Sequence, residues 1–298
     1  MKLKELQKVI LAPNVWVYRI IRKYPFLIKD DRKYIEYVWK KKMGYPLDLD
    51  HPRTFNEKMQ WLKLYDRRPE FTSMVDKFAV KEYVAKKIGP EYVIPTLGVW
   101  DRTEDIEWDI LPNQFVLKCT HDSGGLVICK DKNKLDKNKA INKLKRCLRH
   151  DFYLYGREWP YKDVPHRIIA EQYIEGDNGE LNDYKVFNFN GEPRIIQIDY
   201  DRFKGHQRNL YTTEWDRIHA TIEYPTDENR NFSKPIVLDE LIALCRKLSE
   251  GRPFLRTDFY IVNNRIYFGE LTFFHGSGLE LFTPQEFDEQ LGSWITLV

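Results

Sequence analysis

Lys118 stands at the end of an apolar run and just ahead of a small glycine loop. The stretch Gln114-Phe-Val-Leu-Lys118-Cys-Thr120-His121-Asp-Ser123-Gly124-Gly125 leads into a second apolar run, Leu126-Val-Ile-Cys129. The pattern predicts strand, turn, strand, with a cation at the mouth of the turn. Backbone N–H groups of such a loop can close over a polyphosphate while the lysine supplies charge. The lysine precedes the glycines, so this is not a P-loop, in which Lys-Ser/Thr follows them. An ordinary hairpin with a solvated lysine fits the same residues, and the distal segments shift the balance.

Phe254 to Val262 and Ile266 to Thr272 read as a hairpin around Asn263-Asn264. Asp258 and Glu270 lie on its two strands, with Arg256 and Thr272 two residues further along the same faces. A two-residue turn pairs Asp258 with Gly269 and turns Glu270 to the other face. A three-residue loop, or a bulge, sets Asp258 opposite Glu270 and Arg256 opposite Thr272. Only the second arrangement suits a metal. Hard Mg²⁺ takes few carboxylates plus phosphate oxygens, so two acids on one face suffice. The alternative is a pair of solvent-facing acids. Phe254, Phe259, Tyr267 and Phe268 argue instead for a partly buried hairpin, where unpaired acids are costly.

These groups need elements to hold them. Residues 1 to 112 read as a mainly helical N-terminal domain. Arg53 to Leu64 begins with a Thr54 cap and has Glu57 three residues on, the capping-box spacing. Phe71 to Lys87 reads as one helix, ended by Gly89-Pro90, and Val93 to Trp100 as a short extended piece. Residues 113 to 178 form a small α/β lid: the glycine hairpin, a basic helix from Asn138 to His150 and a strand Arg167 to Ile174. Residues 179 to 298 form a larger strand-rich unit with the metal site. It holds the hairpin Tyr184 to Asn188 and Pro193 to Asp199 around Asn190-Gly191, and a helix Leu238 to Glu250 closed by Gly251. The fold class is α+β.

Bulk properties narrow the field. Bases nearly balance acids, with a formal charge of +3, which by itself says little about partners; no nucleic-acid partner is expected. Cys119, Cys129, Cys147 and Cys245 form no C-x-x-C pair and no zinc spacing, and read as reduced core thiols of a cytoplasmic protein. The apolar run from Val9 to Ile28 is broken by Pro13, Arg19, Arg22 and Lys23, so neither a membrane span nor a secretory signal is expected. The first forty-odd residues mix lysines and arginines with aromatics. They read as helices with solvated basic faces, or as a peripheral patch for the inner face of an anionic membrane.

In order, these parts resemble an ATP-grasp enzyme over nearly the whole chain: Asp76-Lys77, Lys118 with its Ser-Gly-Gly loop, Ala170-Glu171-Gln-Tyr173-Ile174, Asp183-Tyr-Lys185, Arg208-Asn209 and Asp258…Glu270-Leu-Thr272. The strings Phe55-Asn-Glu-Lys-Met-Gln-Trp-Leu-Lys-Leu-Tyr65, Tyr155-Gly-Arg-Glu-Trp-Pro160 and Phe268-Gly-Glu-Leu-Thr272 are similar to the TupA-like branch, associated with teichuronopeptide and cell-surface polysaccharide synthesis. The resemblance implies two α/β subdomains clasping ATP, with ATP and Mg²⁺ as cofactors. Lys77 and Lys118 would contact the phosphates, and Thr120, His121, Ser123, Gly124 and Gly125 would close over them. Glu171 would face the adenine amino group, Tyr173 and Ile174 the ring edge, and Glu175 or Asp177 the ribose. Lys185 would lie near phosphate or the substrate carboxylate. Asp258 and Glu270 would hold Mg²⁺, with Thr272 where the superfamily often has Asn. Arg208, Asn209, Arg256 and Ser277 would face substrate, although each arginine fits a structural ion pair equally well.

The expected activity is an ADP-forming carboxylate–amine ligase working through an acyl-phosphate, with Lys118, Arg256, Arg208 and Lys185 as catalytic groups. The partners would be a carboxylate-bearing glycan or sugar precursor and an amine donor. A sugar kinase on the same scaffold and a metal-dependent glycosyltransferase are the alternatives. The second leaves the glycine-loop lysine without a role.

Overall fold

The computed structural model describes residues 13–122, 124–176, 181–201 and 205–297. The chain opens with α1 (Pro13–Lys23), α2 (Asp31–Met43), α3 (Phe55–Tyr65), α4 (Glu70–Val75) and α5 (Ala79–Ile88). The capping box at α3 forms as expected: Glu57 N–H donates to Thr54 Oγ1 at 3.1 Å, and Thr54 N–H donates to Glu57 Oε2 at 3.0 Å. The single helix expected from Phe71 to Lys87 is two. Asp76 is extended, at φ −69° and ψ 114°, and its carboxylate accepts from Phe78 N–H at 2.8 Å. Lys77 N–H leaves the helical ladder and donates to Thr120 O at 3.0 Å. An Asp that can cap and a backbone donor with a distant acceptor outcompete helix continuation here.

A four-stranded antiparallel sheet follows: β1 (Thr96–Trp100), β2 (Phe115–Cys119), β3 (Val127–Cys129) and, beyond α6 (Lys137–Leu148) and α7 (Phe152–Gly156), β4 (Ile168–Gln172), in spatial order β1-β4-β2-β3. Side chains alternate across it. Phe115, Leu117 and Cys119 join Leu144 and Cys147 of α6 in a small core, while Lys118 and Glu171 face the other way.

The remaining strands are β5 (Asp183–Phe189), β6 (Glu192–Tyr200), β7 (Gln207–Tyr211), β8 (Arg217–Ile218), β9 (Thr221–Ile222), β10 (Phe254–Val262), β11 (Arg265–Thr272) and β12 (Phe282–Thr283), with α8 (Leu238–Ser249) before β10 and α9 (Glu286–Ser293) last. Six of them form an antiparallel sheet in the order β11-β10-β5-β6-β7-β8. Its hairpins turn at Asn190-Gly191 and Asn263-Asn264, all four residues left-handed, as two-residue turns of this twist require. All four cysteines are buried thiols.

The two apolar clusters cross the division expected at 112/113. Phe55, Met59, Leu62, Phe71, Met74 and Val84 of the helical region share one core with Phe187, Phe254 and Leu291. Trp100, Ile106 and Leu111 belong instead to the lid's core, because β1 pairs with β4. The N-terminal helices from Phe55 onward are therefore built into the large sheet.

The docking of α9 on α3 supplies a test. A Cβ on Gly292 would collide with the Arg53 carbonyl and lie 2.6 Å from Thr54 C. Both contacts are backbone, so neither can yield cheaply. Gly292→Ala should lower stability by roughly 1–3 kcal/mol, read as a lower urea midpoint at unchanged slope. An unchanged midpoint would show that α3 and α9 do not meet in this way.

Candidate active site

Four neighbouring strands assemble one polar row. Glu270, Asp258, Lys185 and Gln197 stand opposite one another across β11, β10, β5 and β6. The two-residue turn at Asn263-Asn264 would by itself pair Asp258 with Gly269. A bulge intervenes: Phe259 pairs with Phe268 and Asp258 with Glu270, leaving Gly269 as the extra residue. A Cβ on Gly269 would sit 3.0 Å from Asp258 O, which favours glycine there. Arg256 accordingly faces Thr272, the arrangement the metal reading requires.

The row is held by ion pairs. Arg256 donates to Asp258 through Nε and Nη2, both at 2.7 Å, and to Glu270 Oε1 at 3.1 Å. Lys185 Nζ donates to Asp183 Oδ2 at 2.6 Å and to Asp258 Oδ2 at 2.7 Å. Burial alone would raise the Asp258 pKa; Arg256 and Lys185 override it and hold the carboxyl well below the usual range. Arg256 Nη1 donates to His275 Nδ1 at 2.7 Å, and His275 Nε2 lies 2.9 Å from Glu280. Glu280 accepts from Arg208 at 2.6 Å, and Arg208 Nε donates to Asp199 at 2.9 Å. Buried charge thus runs without a gap from β11 to β7.

The small sheet contributes cations. Lys118 pairs with Glu171 Oε2 at 2.5 Å, and Lys81 with Glu171 Oε1 at 2.7 Å. Lys77 Nζ donates to Asp122 O at 2.9 Å. Burial lowers the Lys77 pKa, with Glu270 opposing and Lys118 reinforcing, ahead of Asp122 and Glu171. One ammonium therefore senses both the lid's lysine and the hairpin's acid. Lys77 thus lies close enough to both Lys118 and Glu270 to interact with each electrostatically.

Other expected site residues lie elsewhere. Thr120 and His121 are fully buried. Thr120 Oγ1 donates to Pro165 O at 2.8 Å, and His121 stacks on His166 with ring centroids 3.6 Å apart. Both brace the lid from inside. Gly124 N–H donates to the Asp122 carboxylate at 3.0 Å, while Gly125 packs on Cys119 and Cys147. Glu171, expected at the adenine, has both oxygens engaged by lysines. Arg208 and Asn209 sit at the far end of the row with internal partners. Asn209 Nδ2 donates to Arg230 O at 2.7 Å, and its Oδ1 accepts from Tyr200 and Thr226. Tyr173, Ile174 and Glu175 follow β4, with Lys130 over the Tyr173 ring. Ser123 and Asp177 fall outside the described residues. Ser277 Oγ accepts from the buried Lys63 at 2.8 Å.

Several groups at this site were not assigned from sequence. Lys81 lies one helical turn beyond Lys77, and that spacing was the available signal. Glu158, inside the Tyr155-Gly-Arg-Glu-Trp string, is buried beside Ser277 and feels Lys63, Arg256 and Glu270, while burial pushes its carboxyl up. Burial lowers the Lys63 ammonium to about 8, with Glu158 opposing. Asp199-Tyr200-Asp201 is an Asp-x-Asp string at a strand end. Its acids are bound to Arg208 and, at 2.7 Å, to Arg230.

Among the described residues no cluster of three or more His, Cys, Asp or Glu converges as a metal site. Asp258 and Glu270 are nevertheless hard-oxygen donors on one face, the number that suffices when phosphate oxygens complete the shell. Glu270, with 39% of its side chain exposed, is the open member. The residues fit Mg²⁺.

A helical region and two antiparallel sheets, with lysines on the smaller and paired carboxylates on the larger, make an α+β fold. The model of the TupA-like ATPgrasp family matches residues 57–296, and the chain belongs to that family. No curated protein matches the sequence. Among solved structures, D-alanine–D-alanine ligase from Bacillus anthracis, complexed with ATP, is similar at 15% identity and TM-score 0.40, over 67% of this chain and 53% of that one. The Helicobacter pylori D-alanine–D-alanine ligase gives 14% identity and TM-score 0.43, over 81% and 69%. An ADP complex of purK, N5-carboxyaminoimidazole ribonucleotide synthetase, gives 14% and 0.44, over 73% and 50%. The chain thus spans about half the length of the first of these. Among the described residues no helix is long and apolar enough to cross a membrane.

The packing of His121 predicts an acid-sensitive lid. Burial, reinforced by His166, lowers its pKa from 6.5 to about 4. The unfolded chain therefore takes up this proton first. The stability it contributes is complete above 6.5 and is lost as pH falls towards about 4. Urea midpoints of the wild type should fall over that window, with a shallower fall in His121→Gln. Parallel slopes would place the proton elsewhere.

Proposed function

We propose that this protein is an ATP-dependent carboxylate–amine ligase. Its acceptor would be a carboxylate on a glycan or sugar precursor, and its nucleophile an amine. The observation that carries the reading is the gathering of charge: Lys118 and Lys81 share Glu171, and Lys77 interacts electrostatically with both Lys118 and Glu270. Cations of the small sheet and carboxylates of the large one suit a polyphosphate and its counter-ion.

The acceptor carboxylate attacks the terminal phosphorus of ATP. An acyl-phosphate forms and ADP leaves. The amine then adds to the activated carbonyl, loses its proton and expels phosphate, leaving an amide. Lys77 and Lys118 neutralise the phosphate chain, exchanging the Asp122 carbonyl and Glu171 for nucleotide oxygens. Arg256, whose fork is held by Asp258 and whose other donors reach Glu270 and His275, contributes fixed positive charge towards the acyl-phosphate and the oxyanion that follows. Mg²⁺, when held by Asp258 and Glu270, supplies charge neutralisation for the transferring group. Family membership supports the nucleotide. The ligases among the similar structures support the reaction class only as fold analogy.

Lys118→Ala and Glu270→Ala should each lower ATP turnover by about a hundredfold or more with folding intact by circular dichroism. The products should be ADP, phosphate and an amide. Full turnover in either variant would sink the site. A stable phosphorylated sugar in place of the amide would make the protein a kinase.

The reading includes a place beside an anionic membrane. Arg19 and Lys23 lie among the exposed side chains of Val17, Ile20, Phe26 and Leu27, a composition suited to an interfacial segment. The protein should float with phosphatidylglycerol vesicles and not with phosphatidylcholine vesicles. Equal recovery with both would remove this part of the reading.

A further inference from the structure

The charge on this chain is concentrated in one segment. Residues 130–149 carry nine lysines and arginines against two aspartates, a net +7 in a chain whose total is +3. The rest of the molecule is therefore net negative. The two aspartates are occupied: Asp131 accepts from Asn133 N–H at 3.0 Å, and Asp136 accepts from Lys139 N–H at 2.9 Å. Both cap the turns they begin; Asp131 also lies 3.5 Å from the exposed Lys134 ammonium, and the segment keeps its large positive excess.

These bases border a groove of about 720 Å³ between β3 and α6. One wall is β3, the last strand of the small sheet, and among the described residues no strand pairs with its outer edge. The other wall is the α6 stripe Asp136, Lys139, Ala140 and Lys143, at the spacing of one helix face. Lys130 and Lys134 close the end. Leu126 and Ile128 are 40% and 45% exposed there. The groove is separate from the nucleotide cleft, because α6 packs on the face of β2 opposite Lys118.

We propose that this groove is a docking site for an extended acidic peptide that adds to the outer edge of β3. A strand edge offers backbone hydrogen bonds to another backbone, and an added strand presents alternate side chains to opposite faces. On one face its acids meet Lys139 and Lys134. On the other its apolar residues lie beside Ile128 and Leu126. The exposed apolar pair and the strand edge favour a peptide over an acidic glycan, which has neither an amide ladder nor apolar side chains. The inference is independent of the ligase reading, since it uses no residue of the nucleotide cleft.

The test uses the full chain and a fluorescent twelve-residue peptide of alternating glutamate and valine, followed by anisotropy. The peptide should bind, weaken with salt and lose about tenfold in affinity in the Lys134→Glu/Lys139→Glu double variant. The same peptide with every second amide N-methylated should bind at least as poorly. Lys40→Glu/Lys41→Glu, the same charge change on α2, should leave binding within about twofold. Equal loss in that control overturns the proposal, as does an oligogalacturonate of matched charge binding as tightly as the peptide. No affinity for the peptide overturns it as well, and would leave the lysines as guards of an exposed strand edge. Nucleotide binding should be unchanged in both double variants, which separates this outcome from failure of the ligase reading.

Discussion

A carboxylate with 2% of its surface exposed governs the large sheet. Asp258 survives burial only because Arg256 and Lys185 supply three short donors to its two oxygens. Removing one partner of such a group typically costs about 3–5 kcal/mol, since the remaining charge is left without compensation. The requirement then propagates. Arg256 has donors left over, taken by Glu270 and His275, and Lys185 has another, taken by Asp183. Each satisfied group recruits the next strand, until the chain of pairs ends at Arg208 and Asp199. Register is thereby fixed twice over. A one-residue slip of β10 would expose its apolar side and also strand a buried ion.

The same arithmetic explains why the cleft is poised and not simply open. Lys118 and Lys81 share Glu171, and Lys77 rests on a backbone carbonyl. These cations are desolvated in advance, with protein acceptors standing in for water. On the proposed function, a polyphosphate reaching them would exchange one set of charge-assisted bonds for another, with the cost of ordering the lysines already met during folding. The Asp76-Lys77 break between α4 and α5 makes this possible. A continuous helix would keep Lys77 N–H within its own ladder and away from Thr120 O.

Local rules were legible in the sequence. Thr54 with Glu57 announced a capping box, Asn190-Gly191 announced a hairpin turn, and Asn263-Asn264 marked where a second hairpin turns, because each depends on a few adjacent residues. The bulge at Gly269 was legible only as one of two alternatives, since spacing leaves open whether an extra residue is accommodated in the turn or in the strand. The break at Asp76 was not legible. Its cause, Thr120 O, lies more than forty residues away. Nor did sequence tell which charged side chains face the cleft. Thr120 and His121 sit within the glycine-loop string, yet the Thr120 bond to Pro165 O and the His121 stack on His166 hold them inward. Arg208 carries the charge expected of a substrate clamp, yet Asp199 and Glu280 consume it.

The helices ahead of the lid belong to the site in a direct sense. Gly276, Ser277 and Gly278 all adopt positive φ, including a serine at 56°, a conformation that costs about 1–3 kcal/mol for a residue with a Cβ unless its surroundings enforce it. The enforcement comes from α3. Gln60 Nε2 donates to the Ser277 and Gly278 carbonyls at 3.0 and 2.7 Å, and Lys63 Nζ donates to Ser277 O and Oγ at 2.7 and 2.8 Å. The following side would clash if Gly278 carried a Cβ, which would fall 2.5 Å from Gln60 Nε2. One helix face therefore pins the turn that carries Ser277 and borders His275, and through His275 it bears on Arg256. The capping box that starts α3 sets its phase, and that phase decides whether Gln60 and Lys63 reach the turn. A helix that begins at a local signal near residue 54 thus contacts the turn beside a histidine bonded to a guanidinium two hundred residues later.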